Sequence, residues 1–208
     1  RIVRVVEKPQ DPPSDFAVTG IYIYKPCILR ACADIQPSAR GEYEISDAHT
    51  WLINHNYQVG YQEITGWWKD TGKPEDLLHG NDLLMDQMER SEVSEHVRRH
   101  ESVIINGKVQ IGEGTVLEEG TVIRGPVAIG KNCRLKNATV GPYVSLSDQV
   151  EIERTHIEHS LVMEQTKIED GHWINQSIFG RNVEAMPMKD VGKRENRFIL
   201  GDRSVVHW

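Results

Sequence analysis

Two cations stand in settings that suit phosphate oxygens. Lys8 lies in Glu7-Lys8-Pro9, and Arg40 in Pro37-Ser38-Ala39-Arg40-Gly41-Glu42. The arginine offers a planar fork of donors matched to phosphate. Each cation also has a plain alternative, a surface charge paired with a nearby acid. Glu7 brings a carboxylate that accepts hydrogen bonds from hydroxyl groups. On a strand Glu7 and Lys8 point to opposite faces, but Pro9 indicates that the strand has ended there. Gly20 lets backbone approach a ligand closely, and Tyr22 offers a ring for stacking or for half-buried packing. Asp70 follows Trp67-Trp68-Lys69 and precedes Thr71-Gly72 at a strand-to-helix turn. Its local alternative is a turn residue bonded to its own backbone.

The bulk numbers bound the chemistry. The 208 residues carry 24 basic and 31 acidic side chains, a formal charge of −7. That balance argues against coating nucleic acid, which wants a basic surface. It leaves room for a small phosphorylated substrate, which needs only a few placed cations. Residues 1–102 hold 11 basic and 17 acidic groups, so most of the acidic excess lies in the front half. The three cysteines, Cys27, Cys32 and Cys133, form no CxxC pair, which points to reduced thiols and a cytoplasmic setting. No apolar run reaches the roughly 20 residues that span a bilayer. The alternating start, Arg1 to Val6, reads as a chain beginning inside a domain rather than as a signal peptide.

The elements that position these residues read as mixed α/β over 1–73. Ile2 to Val6, Ala17 to Tyr24 and Tyr57 to Ile64 have strand patterns. Pro26 starts one helix, with Ile28, Leu29 and Cys32 at helical spacing. Ser46 caps a second through Asn54, burying Ala48, Trp51 and Leu52. Residues 74–102 read as a long connecting helix. Pro74 opens it, Glu75 and Asp76 complement its dipole, and Leu77, Leu84 and Met88 share a face.

From residue 103 onward the period changes to six. Ile105, Ile111, Leu117, Ile123, Ile129 and Leu135 recur at that spacing. Four residues after each comes Val109, Thr115, Thr121, Val127, Cys133 or Thr139. The pattern loosens through Val140, Leu146, Ile152, Ile157, Val162 and Ile168. Six residues fit short parallel strands joined by tight turns, three to a coil, with the aliphatic stack inside. The expected fold class is therefore α/β plus all-β, with a left-handed parallel β-helix of hexapeptide repeats over 103–208. Phe198 to Gly201 reads as a final strand. Lys189, Lys193, Arg194 and Arg197 form a small basic cluster, most simply a solvated loop.

Glu7-Lys8-Pro9, Val18-Thr19-Gly20-Ile21-Tyr22, Pro37 to Asp47 and Trp68-Lys69-Asp70-Thr71-Gly72 occur in the order seen in glucose-1-phosphate thymidylyltransferases. Lys73-Pro74-Glu75-Asp76-Leu77-Leu78 then runs into the hexads, so the chain resembles the long form of that family, which carries a C-terminal β-helix. The resemblance implies a partial, Rossmann-like nucleotidyltransferase domain at the front. It implies a sugar 1-phosphate and a nucleoside triphosphate as substrates, and a nucleotide sugar and pyrophosphate as products. Lys8 and Arg40 become the catalytic cations. Glu7, Lys8, Val18, Gly20, Tyr22 and Arg40 bind substrate, and Asp70 ligates Mg²⁺ with a second carboxylate. No Gly-rich nucleotide-cradling loop occurs in the 208 residues, so the chain alone is expected to turn nothing over.

Two rivals concern the hexads. Hexapeptide acyltransferases use a histidine as general base, which makes His156 and His159 alternative site residues. Alternatively the β-helix is a non-catalytic module, and the protein is expected to be a homo-oligomer. His96 and His100, four apart, share a helix face but show no third ligand for zinc.

Overall fold

The computed structural model describes residues 2–186 and 195–207 and divides into two compact units, 1–67 and 68–208. Of the basic cluster at the tail, Lys189, Lys193 and Arg194 lie outside the described residues.

The first unit is built on two helices, α1 (Ile28–Asp34) and α2 (Ile45–Asn54). They bury Ala31, Ala48 and Leu52, with Trp51, Tyr57 and Val59 packed around them. Helix α2 ends because Asn56 adopts a left-handed φ of 61°. Asn56 N–H then bonds Ile53 O and Tyr57 N–H bonds Leu52 O, which closes the last turn. Ser46 is not the cap. Glu44 holds that position, and Ser46 lies inside the first turn with its side chain buried. The three segments expected as strands form no sheet among the described residues. A strand needs a neighbour for its ladder. Here Val5 finds its partner in the Thr50 hydroxyl instead, and Ile21 and Ile23 remain 78% and 96% exposed.

The second unit begins with α3 (Pro74–Asp86), whose first turn carries Glu75 and Asp76 as expected. It is shorter than the 74–102 reading. Its buried face is Leu78, Asn81 and Met85, while Leu77 and Leu84 are exposed. The described residues from Glu92 onward already belong to a parallel solenoid of about six turns. Glu92–Val93 pairs with Val109–Ile111, Arg98–Arg99 with Val116–Leu117, and Ile104–Asn106 with Val122–Arg124. His96 and His100 therefore sit in the first coil and not on a helix.

Three faces rise from these pairings. The aliphatic stack points inward as the spacing requires, with Leu117, Ile123, Leu135, Val140, Ile152 and Ile157 almost wholly buried. The second repeat position is filled by Thr115, Thr121, Val127 and Cys133. At the next coil the step shortens, so Ala138 is buried there and Thr139 is half-exposed. Interior hydroxyls are satisfied by turn backbone. Thr115 donates to Gly130 O at 2.8 Å and accepts from Cys133 N–H at 3.1 Å, and Thr166 donates to Gly180 O at 2.7 Å. Ile199–Leu200 forms the last strand of one face, as the sequence predicts.

Helix α3 lies on one of these faces. Asn81 Nδ2 donates to Tyr143 O at 3.2 Å, and Ser145 Oγ donates to Asn81 Oδ1 at 2.6 Å. Tyr143 O–H reaches Asp86 at 2.8 Å, and Arg197 pairs with Glu75 at 2.7 Å.

Candidate functional site

In the first unit, helix α2 gathers the groups. Arg40 precedes it in a tight turn closed by Gly41 N–H to Ser38 O at 2.8 Å. The guanidinium meets three carboxylates: Glu42 at 2.8 Å, Glu44 at 3.4 Å and Glu7 at 3.7 Å. Glu44 is 7% exposed and also accepts from Ser38 Oγ at 2.9 Å. Glu7 accepts from Ser46 Oγ at 3.2 Å. The chain turns sharply at Lys8, whose φ is 37°, so the extended run ends where Pro9 predicts. Lys8 is exposed and makes no ion pair among the described residues.

A second cluster adjoins this one on α2. His49 Nε2 lies 2.6 Å from the Tyr24 hydroxyl. Tyr22 stacks on Tyr24 at 5.9 Å and tilts against His49 at 5.2 Å. Of the residues singled out by sequence, Glu7 and Arg40 are thus brought together, Lys8 follows Glu7 in the chain, and Tyr22 is anchored from the same helix. Val18 is exposed, and a Cβ on Gly20 would meet nothing within 4 Å. Asp70 belongs to the second unit, where it is exposed and without an ion pair among the described residues. Beside it, Lys69 is held by Asp76 at 2.7 Å.

Residues 1–87 match the family model described as nucleotidyl transferase. Over those residues the chain is similar to nucleotidyl transferases. The whole chain is 36% identical over 204 residues to a glucose-1-phosphate thymidylyltransferase of Streptomyces griseus, covering 98% of this chain and 56% of that protein. It is 34% identical over 207 residues to the low-salt glycan biosynthesis nucleotidyltransferase Agl11 of Haloferax volcanii, with the same two coverages. A bifunctional sugar-1-phosphate nucleotidylyltransferase/acetyltransferase of Sulfurisphaera tokodaii is 34% identical over 185 residues, 86% of this chain and 45% of that protein. The chain therefore spans about half the length of the curated relatives it matches.

Within the matched segment, sequence reasoning missed the contacts of Ser46, His49, Thr50 and Glu44. The burial of Ser46 and His49 on α2, which obliges both to find partners, exists only in the fold and left no local signal. The histidines of the solenoid do not converge. His156 lies edge-on to Trp173 and 3.5 Å from Glu158, whereas His159 stacks on Tyr143 and faces Asp82 at 3.5 Å. No group of three potential metal ligands occurs among the described residues. No described helix is long and apolar enough to cross a membrane.

Burial pushes the His49 imidazole below its ordinary value of 6.5, and it has no carboxylate in ion-pair reach among the described residues. The folded state prefers neutral His49, so its contribution is whole above pH 6.5 and is lost as pH falls from there toward the folded pKa. Thermal melting is expected to drop between neutral and mildly acidic pH. His49→Gln, which keeps an acceptor for Tyr24, is expected to flatten that drop. An unaltered pH dependence in the variant rules the mechanism out.

Proposed function

We propose that Glu7, Lys8, Tyr22 and Arg40 of the first unit belong to the sugar-phosphate side of a nucleotidyltransferase site. The reaction joins a sugar 1-phosphate to a nucleoside triphosphate, giving a nucleotide sugar and pyrophosphate. The observation that carries the reading is the Glu7–Arg40 ion pair, which joins two separate stretches of the segment that matches nucleotidyl transferases, with Lys8 next to Glu7 in the chain. The relatives named as glucose-1-phosphate thymidylyltransferases favour glucose 1-phosphate and thymidine triphosphate as the pair.

The step is in-line attack of a phosphate oxygen on the α-phosphorus. Its barrier is repulsion between two anions and the entropy of placing them. Lys8 offsets charge on the sugar phosphate. Glu7 accepts from a sugar hydroxyl, and the Tyr22 ring, braced by Tyr24 and His49, forms a wall for the sugar. Arg40 holds Glu7 in place and adds positive charge. Mg²⁺ would neutralise phosphate charge, and Asp70 fits as one of its ligands. It is an exposed hard oxygen donor with no cation already on it among the described residues.

Pyrophosphate release by the whole enzyme tests this directly. Asp70→Ala is expected to lower turnover by at least about a hundredfold, with partial recovery at high Mg²⁺. Near-normal turnover removes Asp70 from the metal site. The 208-residue chain by itself is expected to release no pyrophosphate, because it holds no Gly-rich nucleotide loop; measurable release overturns that.

A further inference from the structure

Helix α2 presents Ser46 and Thr50 one turn apart on the same face. Both hydroxyls reach the segment that ends in Glu7 and Lys8. Thr50 Oγ1 donates to Val5 O at 2.9 Å and lies 3.3 Å from Val5 N–H, which donates back. Ser46 Oγ donates to Glu7 Oε2 at 3.2 Å. The two spacings match. Four helical residues rise about 6 Å, and two extended residues span about 6.6 Å. The helix therefore reads the segment in antiparallel register, Thr50 against Val5 and Ser46 against Glu7. Ser46 is 2% exposed, so its hydroxyl cannot exchange this partner for bulk water.

We propose that Ser46 and Thr50 are positioning residues that fix Glu7, and with it Lys8, for a sugar 1-phosphate. This rests on the sugar-phosphate reading. The two oxygens of Glu7 have different duties. Oε2 is occupied by Ser46. Oε1 lies 3.7 Å from Arg40, an ion pair beyond hydrogen-bond reach, and keeps its acceptor capacity for a substrate hydroxyl. Removing the serine hydroxyl frees the carboxylate to rotate toward Arg40 and withdraws that acceptor. Removing the threonine hydroxyl unpairs both polar groups of Val5 and loosens the backbone under Glu7.

The test is steady-state kinetics on the whole enzyme with glucose 1-phosphate and thymidine triphosphate. Ser46→Ala is expected to raise KM for the sugar phosphate roughly tenfold, with kcat and the nucleotide KM little changed. Ser46→Thr, which retains a hydroxyl, is expected to recover most of the loss. A purely structural serine would alter melting without this split, and an unchanged sugar-phosphate KM in Ser46→Ala overturns the proposal. Amide exchange at Val5 supplies an arm that needs no activity. Thr50→Val is expected to raise it markedly, and an unchanged rate overturns the docking claim. If the enzyme neither binds nor turns over any sugar 1-phosphate, the functional reading falls, and the Val5 exchange decides the docking of the segment alone.

Discussion

Lys8→Ala is expected to lower kcat/KM for the sugar phosphate by about a hundred- to a thousandfold, the scale set by deleting one charged donor at a reacting centre. The reason lies in how the two cations are engaged. Arg40 is already compensated by Glu7, Glu42 and Glu44. A phosphate reaching Arg40 competes with those carboxylates. Lys8 has no such partner among the described residues and is exposed. Its left-handed φ of 37° is unusual for a residue with a Cβ, a conformation that costs about 1 kcal/mol or more and persists where surrounding contacts dictate it. The segment leading into the turn is held by Thr50 at Val5 and by Ser46 at Glu7. Arg40→Ala is expected to cost less, since it acts mainly by releasing Glu7. Melting of Lys8→Ala should match the parent, because an exposed side chain with no partner contributes little to folding. Equal kinetics for Lys8→Ala and parent remove Lys8 from the site.

The solenoid was legible because each inward position needs an aliphatic and the coil geometry fixes how often one recurs. The same logic explains where the reading began too late. In the first coil, Arg99 stands in register with Leu117, in a column whose next members, Leu117, Leu135, Ile152 and Ile168, are buried and apolar. A terminal coil has a neighbour on one side only, so this position is exposed and takes a charge, which also discourages end-to-end strand pairing. With Glu89-Arg90-Ser91-Glu92 after Met88, the stretch has the pattern of an exposed helix end or a linker. That Arg40 pairs with nearby acids was legible from Glu42 and Glu44 beside it in sequence. The role of Ser46 was not. A serine before Asp47 and an apolar run has the pattern of a helix cap, and nothing local reveals a carboxylate 39 residues upstream. Interactions of that separation exist only once α2 and the Val5–Glu7 segment are side by side.

Gly141→Ala is expected to destabilise the second unit by about 3–5 kcal/mol, in the range reserved for backbone conflicts in a packed core. Gly141 has a φ of 101°, which side chains rarely adopt. A Cβ there would overlap the Arg124 carbonyl oxygen of the coil beneath and press on Val127 Cγ2 at 2.5 Å. Coils stack about 4.8 Å apart, so neither backbone can retreat without opening a ladder. Two residues later stands Tyr143, whose carbonyl receives Asn81 and whose hydroxyl holds Asp86 of α3. The damage should therefore spread to the helix, and amide exchange in α3 should rise together with the fall in melting temperature. Gly201→Ala is the matched control, since a Cβ there meets nothing within 4 Å. If both variants melt alike, close stacking at Gly141 is not what seats α3; if only Gly141→Ala loosens α3, the corner at Tyr143 is the joint through which the solenoid holds that helix.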